Sequence, residues 1–470
     1  MQRPVVLHVV FPLAILLALC FRFAPYIQSL SFDLAQHYFL VDEIMKHGTI
    51  RPPPIPNITT MAIYPPASHW MAAVIGWIGG SGLVAITLVT ISAVFLSYLL
   101  IARLVGAHKP IAIIVFGIFF VALIRSRSLI GWEVIENYFY PQLVADVVYL
   151  GTLLWLTRSS TILERTIIVV SAGVATMWIQ PLVALHIFAA GAVLLALECL
   201  ALWRARASSL KWCVLALLGV LAAGVVVVAI HPAFQVMRMI SANNGGLNLG
   251  YSDLMLVTSA SAAIGALNLW RWLAKTADFT DAVLGSAVIA ASSMALLQFV
   301  AWKLNHDGSL YAVKKHMFLI VTLGAMNAAR LVALRIHLRQ GLVSAQLLSP
   351  IAAGLASLVI LHSFTTPVRP IVDAINYANN AAQFRWPAYQ PGTTLAEFHS
   401  DFVDGLVSFT SFEFPFDAKG IAWLQRQTKA VDIAAFVMVK RSPQLDAACK
   451  ERFAESATFA IVPVACLKEP

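Results

Sequence analysis

Apolar runs of about 15 to 22 residues recur along the first three-quarters of this chain, each near the length a helix needs to cross hydrocarbon. In that medium the backbone must satisfy its own polar groups, so segments of this length are helices. Composition agrees: 12% of the 470 residues are charged, about half the share of roughly 25% usual in soluble domains. Water is not the main solvent of such a chain. The expected fold is an all-α polytopic membrane bundle with spans near 5–21, 82–102, 110–124, 141–157, 166–180, 182–202, 212–230, 252–270, 282–302, 313–329 and 342–363. That makes about eleven crossings, or twelve if the apolar piece 67–80 also spans. At about fourteen residues this piece is short for a crossing, and it reads equally as re-entrant. The first run lacks a small-residue cleavage pattern and continues Arg22, Phe23, Ala24, Pro25, so it reads as a retained helix.

The net charge of +9 does not point to nucleic acid, because the basic residues sit in short loops between apolar runs. They gather at Arg103 to Lys109, Arg158 to Arg165, Arg204 to Lys211, Arg271 to Lys275 and Arg330 to Arg339, which are alternate loops. The excess of Lys and Arg in cytoplasmic loops then places these loops and the amino terminus in the cytoplasm. The loops 22–66, 125–140, 231–251 and 303–312, with everything after Phe364, fall outside. Two domains follow: a transmembrane domain over 1–364 and a small water-facing α/β domain over 365–470, where Asp, Lys, Pro and Asn mix with short apolar runs such as Ala434 to Val439 and Phe459 to Val464. Cys449 and Cys466 both lie in this tail. They are able to pair if the tail is outside the cytoplasm, and otherwise read as two buried thiols.

Three outer stretches carry chemistry. In the first, Ser31 to Tyr38 runs on through Asp42, Glu43, Lys46 and His47, with apolar residues at the spacing of an amphipathic interfacial helix. Asp33, at its start in a partly dry setting, suits a general base; it equally suits the N-cap of that helix. Further on, Ile63-Tyr64-Pro65-Pro66-Ala67-Ser68-His69-Trp70 opens the short apolar helix, with two prolines leaving first-turn N–H groups available to an anion. His69 there is either an added donor or an interfacial anchor beside Trp70. In the last stretch, Lys303 to His316 brings Lys303, His306, Lys314, Lys315 and His316 to the outer side, where a lipid phosphate is a natural partner; pairing with Asp307 or snorkelling to headgroups is the alternative. Loop 125–140 adds Glu133, Glu136 and an aromatic belt, and loop 231–251 adds Arg238 as a further phosphate contact. No P-loop, His-x-x-x-His pair or Gly-x-Ser-x-Gly elbow is present in the sequence, and nothing in it requires a bound divalent metal.

Taken in order, Asp33 soon after the first span, the interfacial helix behind it, Tyr64-Pro65-Pro66 with His69 opening the next helix, and Leu310-Tyr311-Ala312-Val313-Lys314 resemble the GT-C superfamily of polyprenyl-phosphate-dependent membrane glycosyltransferases. The resemblance covers most of the membrane region; the fourteen-residue helix is short for the family's second span. It implies a multi-pass inner-membrane protein of cell-envelope glycan biosynthesis, using a sugar on undecaprenyl or another polyprenyl phosphate and no required cofactor. Asp33 would take the proton of the acceptor hydroxyl in an inverting transfer. Lys303, His306, Lys314 and Lys315, with Arg238 and His69, would stabilise the departing phosphate, and Glu133, Glu136, Tyr64 and Tyr311 would line the acceptor or sugar site. Two other readings stay open: a transporter or flippase of lipid-linked glycans or small molecules, and a polymerase or ligase of lipid-linked glycans.

Overall fold

The computed structural model describes residues 6–28, 32–50, 64–234, 245–305, 308–336, 344–369 and 372, and in the tail 394–395, 436–440, 443–450, 454–455 and 459–463. A π-helical turn, Val6–Val10, leads into α1 (Phe11–Phe23). There follow α2 (Phe32–His47), α3 (Ala67–Gly79), α4 (Gly82–Gly106), α5 (Ile111–Leu123), the single turn α6 (Glu133–Glu136), α7 (Tyr140–Leu156) and α8 (Ile162–Met177). Then come α9 (Pro181–Arg204), α10 (Leu210–Ile230), α11 (Leu254–Leu273), α12 (Phe279–Asn305), the short α13 (Leu310–Lys315), α14 (Met317–Ala333) and α15 (Ala345–Leu361).

Two compact units divide the chain. One comprises Met1–Cys20, Pro65–Ser68 and Thr90–His362; the other comprises Phe21–Tyr64, His69–Val89 and Ser363–Pro470.

Solvent identity is written on the helix surfaces of the first unit. Five helices among the described residues are long and apolar enough to cross a membrane, Gly82–Gly106, Pro181–Arg204, Leu210–Ile230, Phe279–Leu304 and Leu310–Ala333, the last running through α13 and α14. The outermost, α10, buries only Cys213 and Val220 and leaves Leu215, Leu218 and Val225 more than half exposed. A helix apolar all round and so bare is stable only in lipid. At the other extreme α14 is enclosed by α5, α11 and α12. It carries its polar groups inward, where Asn327 accepts from Asn268 Nδ2 at 2.7 Å, because unsatisfied polar atoms in hydrocarbon are costly. The protein is a polytopic α-helical membrane protein.

One end of this unit is fastened by charge. Arg330, fully buried near the end of α14, donates to Asp281 Oδ1 at 2.5 Å, to both Asp278 oxygens at 2.6 and 2.8 Å, and to the carbonyls of Val105 and Ala107 at 3.0 and 2.9 Å. Lys109 joins Asp281 at 3.2 Å. Arg165, in the first turn of α8, bonds Glu198 on α9 at 2.7 Å, and Arg103 donates to the carbonyl of His8 at 3.1 Å. This basic end therefore collects the starts of α1, α8 and α12 and the ends of α4, α9 and α14.

At the far end, Ala67 N–H donates to Trp178 O at 3.1 Å, Tyr140 Oη donates to Ser68 O at 2.6 Å, and Thr90 Oγ1 hydrogen-bonds Tyr138 Oη at 2.9 Å. The chain thus leaves the first unit at Ser68 and re-enters it at Thr90 by the same end. Ala67 and Ser68 open α3 within the first unit, and from His69 onward the helix belongs to the second. From Thr90 to Gly106 α4 rises about 24 Å, most of a hydrocarbon core of roughly 30 Å.

In the second unit, Trp77 Nε1 donates to Met45 O at 2.9 Å, and α2 sits against Gly76 and Gly82. A Cβ on Gly76 would meet Met45 Sδ at 2.5 Å and one on Gly82 would meet it at 3.0 Å, so these glycines permit the approach. Strand β1 (Tyr26–Ile27) pairs antiparallel with β2 (Thr366–Pro367), and Val368 N–H donates to Pro25 O at 2.8 Å. In the tail, β4 (Phe436–Lys440) and β6 (Phe459–Pro463) are antiparallel, β3 (Thr394–Leu395) lies parallel to β4, and β5 (Ala454–Glu455) borders β6. Cys449 is disulfide-bonded; Cys466 lies outside the described residues.

Candidate active site

Polar side chains of the second unit converge where α2 meets the start of α3. Asp33 stands half-buried in the first turn of α2, and His37 follows one turn later on the same face. Helical spacing sets this pair; the proline pair before α3 sets the other wall. Tyr64-Pro65-Pro66 cannot extend a helix backward, so α3 starts at Ala67 and His69 falls in its first turn. His37 and His69 are 3% and 0% exposed. Their Nδ1 and Nε2 atoms are 2.9 Å apart, and the rings stack with centroids 5.1 Å apart. The Tyr64 ring stands edge-on to His37 at 5.9 Å and 84°. Burial, and after it the negative charge of Asp33, holds the Tyr64 hydroxyl well above the ordinary phenol range, so it remains an O–H donor. Of the candidate residues, Asp33, Tyr64 and His69 are brought together here.

A second constellation belongs to the first unit. Ser309 caps α13 by accepting from Ala312 N–H at 3.2 Å, which fixes the turn carrying Tyr311, Lys314 and Lys315. Tyr311 packs with Phe139, Leu247 and Phe318. The Lys315 ammonium, 8% exposed, lies 4.5 Å from the Tyr311 ring centroid and 4.6 Å from that of Phe139, a desolvated cation held by two ring faces. Lys314 Nζ donates to Leu247 O at 2.8 Å. Asn137 Nδ2 donates to Gly246 O at 2.5 Å and reaches Tyr311 Oη at 3.5 Å. Gly245 lies directly beneath the Tyr311 ring, where a Cβ would stand 2.7 Å from Cζ. Below this layer, Gln142 Nε2 donates to Lys315 O at 3.0 Å, and His316 Nδ1 meets His186 Nε2 at 3.0 Å.

Glu133 is fully buried beside the equally buried Asp146 of α7. The Gly131 N–H donates to Glu133 Oε2 at 2.6 Å, yet burial still pushes the Glu133 carboxyl up to about 7, because an ion is poorly solvated there. The remaining candidates fall elsewhere. Glu136 is taken by Arg127 at 3.1 Å. Lys303 is exposed and rests its ammonium 4.5 Å from the Trp302 ring centroid, a cation–π contact. Arg238 and His306 lie outside the described residues. Among the described residues no three His, Cys, Asp or Glu side chains gather to hold a metal.

Sequence reasoning missed His37, Asp146 and the His186–His316 pair. For Asp146 and His186 the signal was present, since an ionisable residue inside an apolar run is costly and marks a function or a buried partner.

No protein-family model matches the chain, and no curated protein matches it. Among solved structures it is similar to ArnT from Cupriavidus metallidurans in the apo state, with 14% identity and a TM-score of 0.47 over 98% of this chain and 99% of that one. It is likewise similar to ArnT from Cupriavidus metallidurans bound to undecaprenyl phosphate, with 16% identity and a TM-score of 0.44 over 98% and 99% of the two chains.

Proposed function

We propose that this protein is an inverting membrane glycosyltransferase of the GT-C kind, moving a hexosyl or pentosyl unit from a polyprenyl-phosphate donor to a glycan or lipid-linked acceptor at the extracytoplasmic face. The observation that carries the reading is the convergence of Asp33, Tyr64 and His69, from separate stretches of sequence, around one buried histidine contact. In this reading the basic end is cytoplasmic, and the tail after Phe364 is extracytoplasmic.

Asp33 takes the acceptor's proton as its oxygen attacks the anomeric carbon, and attack from the face opposite the leaving phosphate inverts the centre. Phosphate departs without protonation, so one carboxylate suffices. Its developing charge calls for fixed cations in a dry setting, the role assigned to Lys315 and Lys314, with His69 a further donor. The rings of Tyr311 and Phe139 hold the Lys315 ammonium in place, and Tyr311 is assigned to the sugar side through its hydroxyl. Glu133 is assigned to the acceptor side.

The test is Asp33→Asn in proteoliposomes given undecaprenyl-phosphate-linked hexose or pentose. A folded variant should transfer sugar at least about a hundredfold more slowly. Turnover near that of the parent would remove Asp33 from the mechanism.

A further inference from the structure

We propose that His37 and His69 form a proton-holding pair that draws the acceptor's proton away from Asp33 after each transfer. The inference rests on Asp33 being the base. His37 follows Asp33 by one helical turn on one face of α2, and its Nδ1 lies 2.9 Å from His69 Nε2 with both rings buried. Two neutral imidazoles in this contact share one N–H. An added proton turns that contact into a charge-assisted bond and spreads the charge over two rings, which offsets the cost of charging a single buried imidazole.

Each proton can be followed. The acceptor oxygen forms its bond to the anomeric carbon, the anomeric carbon–oxygen bond to phosphate breaks, and the electron pair leaves on phosphate. The hydroxyl proton passes to Asp33 and then to His37, whose bond to His69 stabilises the resulting cation. Asp33 is again a carboxylate, now facing an imidazolium, and the proton leaves to water with the product. Tyr64, edge-on to His37, keeps its own proton and does not compete for this one. Among the described residues, Tyr64 meets the His37 ring from the segment before α3, and Asp33 lies one turn before His37 on α2 and acts on the Tyr64 hydroxyl by its charge. Farther along α2, Asp42 is paired with Lys46 at 2.7 Å and Glu43 lies 3.8 Å from His47.

A pair that only staples α2 to α3 would affect folding but not proton transfer. The experiment therefore uses His37→Ala and His69→Gln in proteoliposomes with undecaprenyl-phosphate-linked hexose or pentose, measuring kcat against pH with and without added imidazole. The expected result is a loss of kcat of about tenfold to a hundredfold with little change in either KM, a displaced acid limb of the pH profile, and partial recovery of His37→Ala by imidazole. Unchanged kcat and pH profile in both variants, or a loss in a folded His37→Ala that imidazole does not restore, would overturn the pair's role. Should neither variant fold, the smaller change His37→Asn, which keeps a hydrogen-bonding group near the Nδ1 position but cannot take up a proton, decides: a slowed kcat with a displaced acid limb supports the relay, and the parent's kcat and pH profile overturn it. Activity in Asp33→Asn would remove the underlying reading instead, whereas an inert Asp33→Asn beside unaffected histidine variants rejects only the relay.

Discussion

Replacing Arg330 by Met should be among the most damaging single changes away from the proposed chemistry. Arg330 is fully buried, and its guanidinium serves two carboxylates and the carbonyls that end α4. Removing it strands Asp281, which is 0% exposed, with Lys109 at 3.2 Å as the remaining cation. Breaking a buried pair from one side costs roughly 3–5 kcal/mol. Lys109 covers part of that loss, which places the expectation near about 3 kcal/mol. The measurement is equilibrium unfolding in mixed micelles, followed by tryptophan fluorescence. Adding Asp281→Leu to Arg330→Met should recover at least half of the loss, since the penalty lies in the unpaired carboxylate more than in the missing attraction. A single variant within about 1 kcal/mol of the parent, or a double variant as unstable as the sum of both single changes, would refute the argument.

Other outcomes can be stated briefly. Lys314→Ala with Lys315→Ala should raise the KM for the undecaprenyl-phosphate sugar about tenfold or more, the worth of a charge-assisted contact, while the acceptor KM changes little; equal effects on both would detach these lysines from the donor. Glu133 binds a proton more tightly in the folded chain than when unfolded, so its contribution to stability is greatest below about pH 4.5 and declines as pH rises toward about 7. Glu133→Gln should flatten that slope in unfolding measured across the same range, and an unaltered slope would mean that another group sets it.

Much of the bundle was legible because hydrocarbon imposes a length and a polarity on each helix, and the apolar runs state both. The basic loops also gave the alternation of ends, and the reason is now visible in particular residues: Lys109, Arg165 and Arg330 each face a buried or half-buried carboxylate at one end. A thirteen-residue apolar helix over 67–79 is ambiguous by length alone, and no local pattern foretells that Ser68 and Thr90, on either side of it, meet Tyr140 and Tyr138. Asp33, Tyr64 and His69 could be named as candidates because proline and helix-start signals frame them. His37 could not, since one histidine in an amphipathic helix has no distinguishing neighbours until residue 69 folds back on it. Glu133 was visible as a loop carboxylate, but its burial against Asp146 depends on helix packing that no local pattern encodes.

The pairing of Tyr26–Ile27 with Thr366–Pro367 bears on biosynthesis. Those partners are separated by nearly the whole membrane-embedded chain, so a ribosome must deliver every traverse before the little ribbon can close. The first unit can gather its helices during insertion, but the second, which includes Asp33 and His37, needs residues beyond Ser363. Such long-range closure is late by nature. A chain stopped just after α15 should therefore insert normally and still lack a finished second unit.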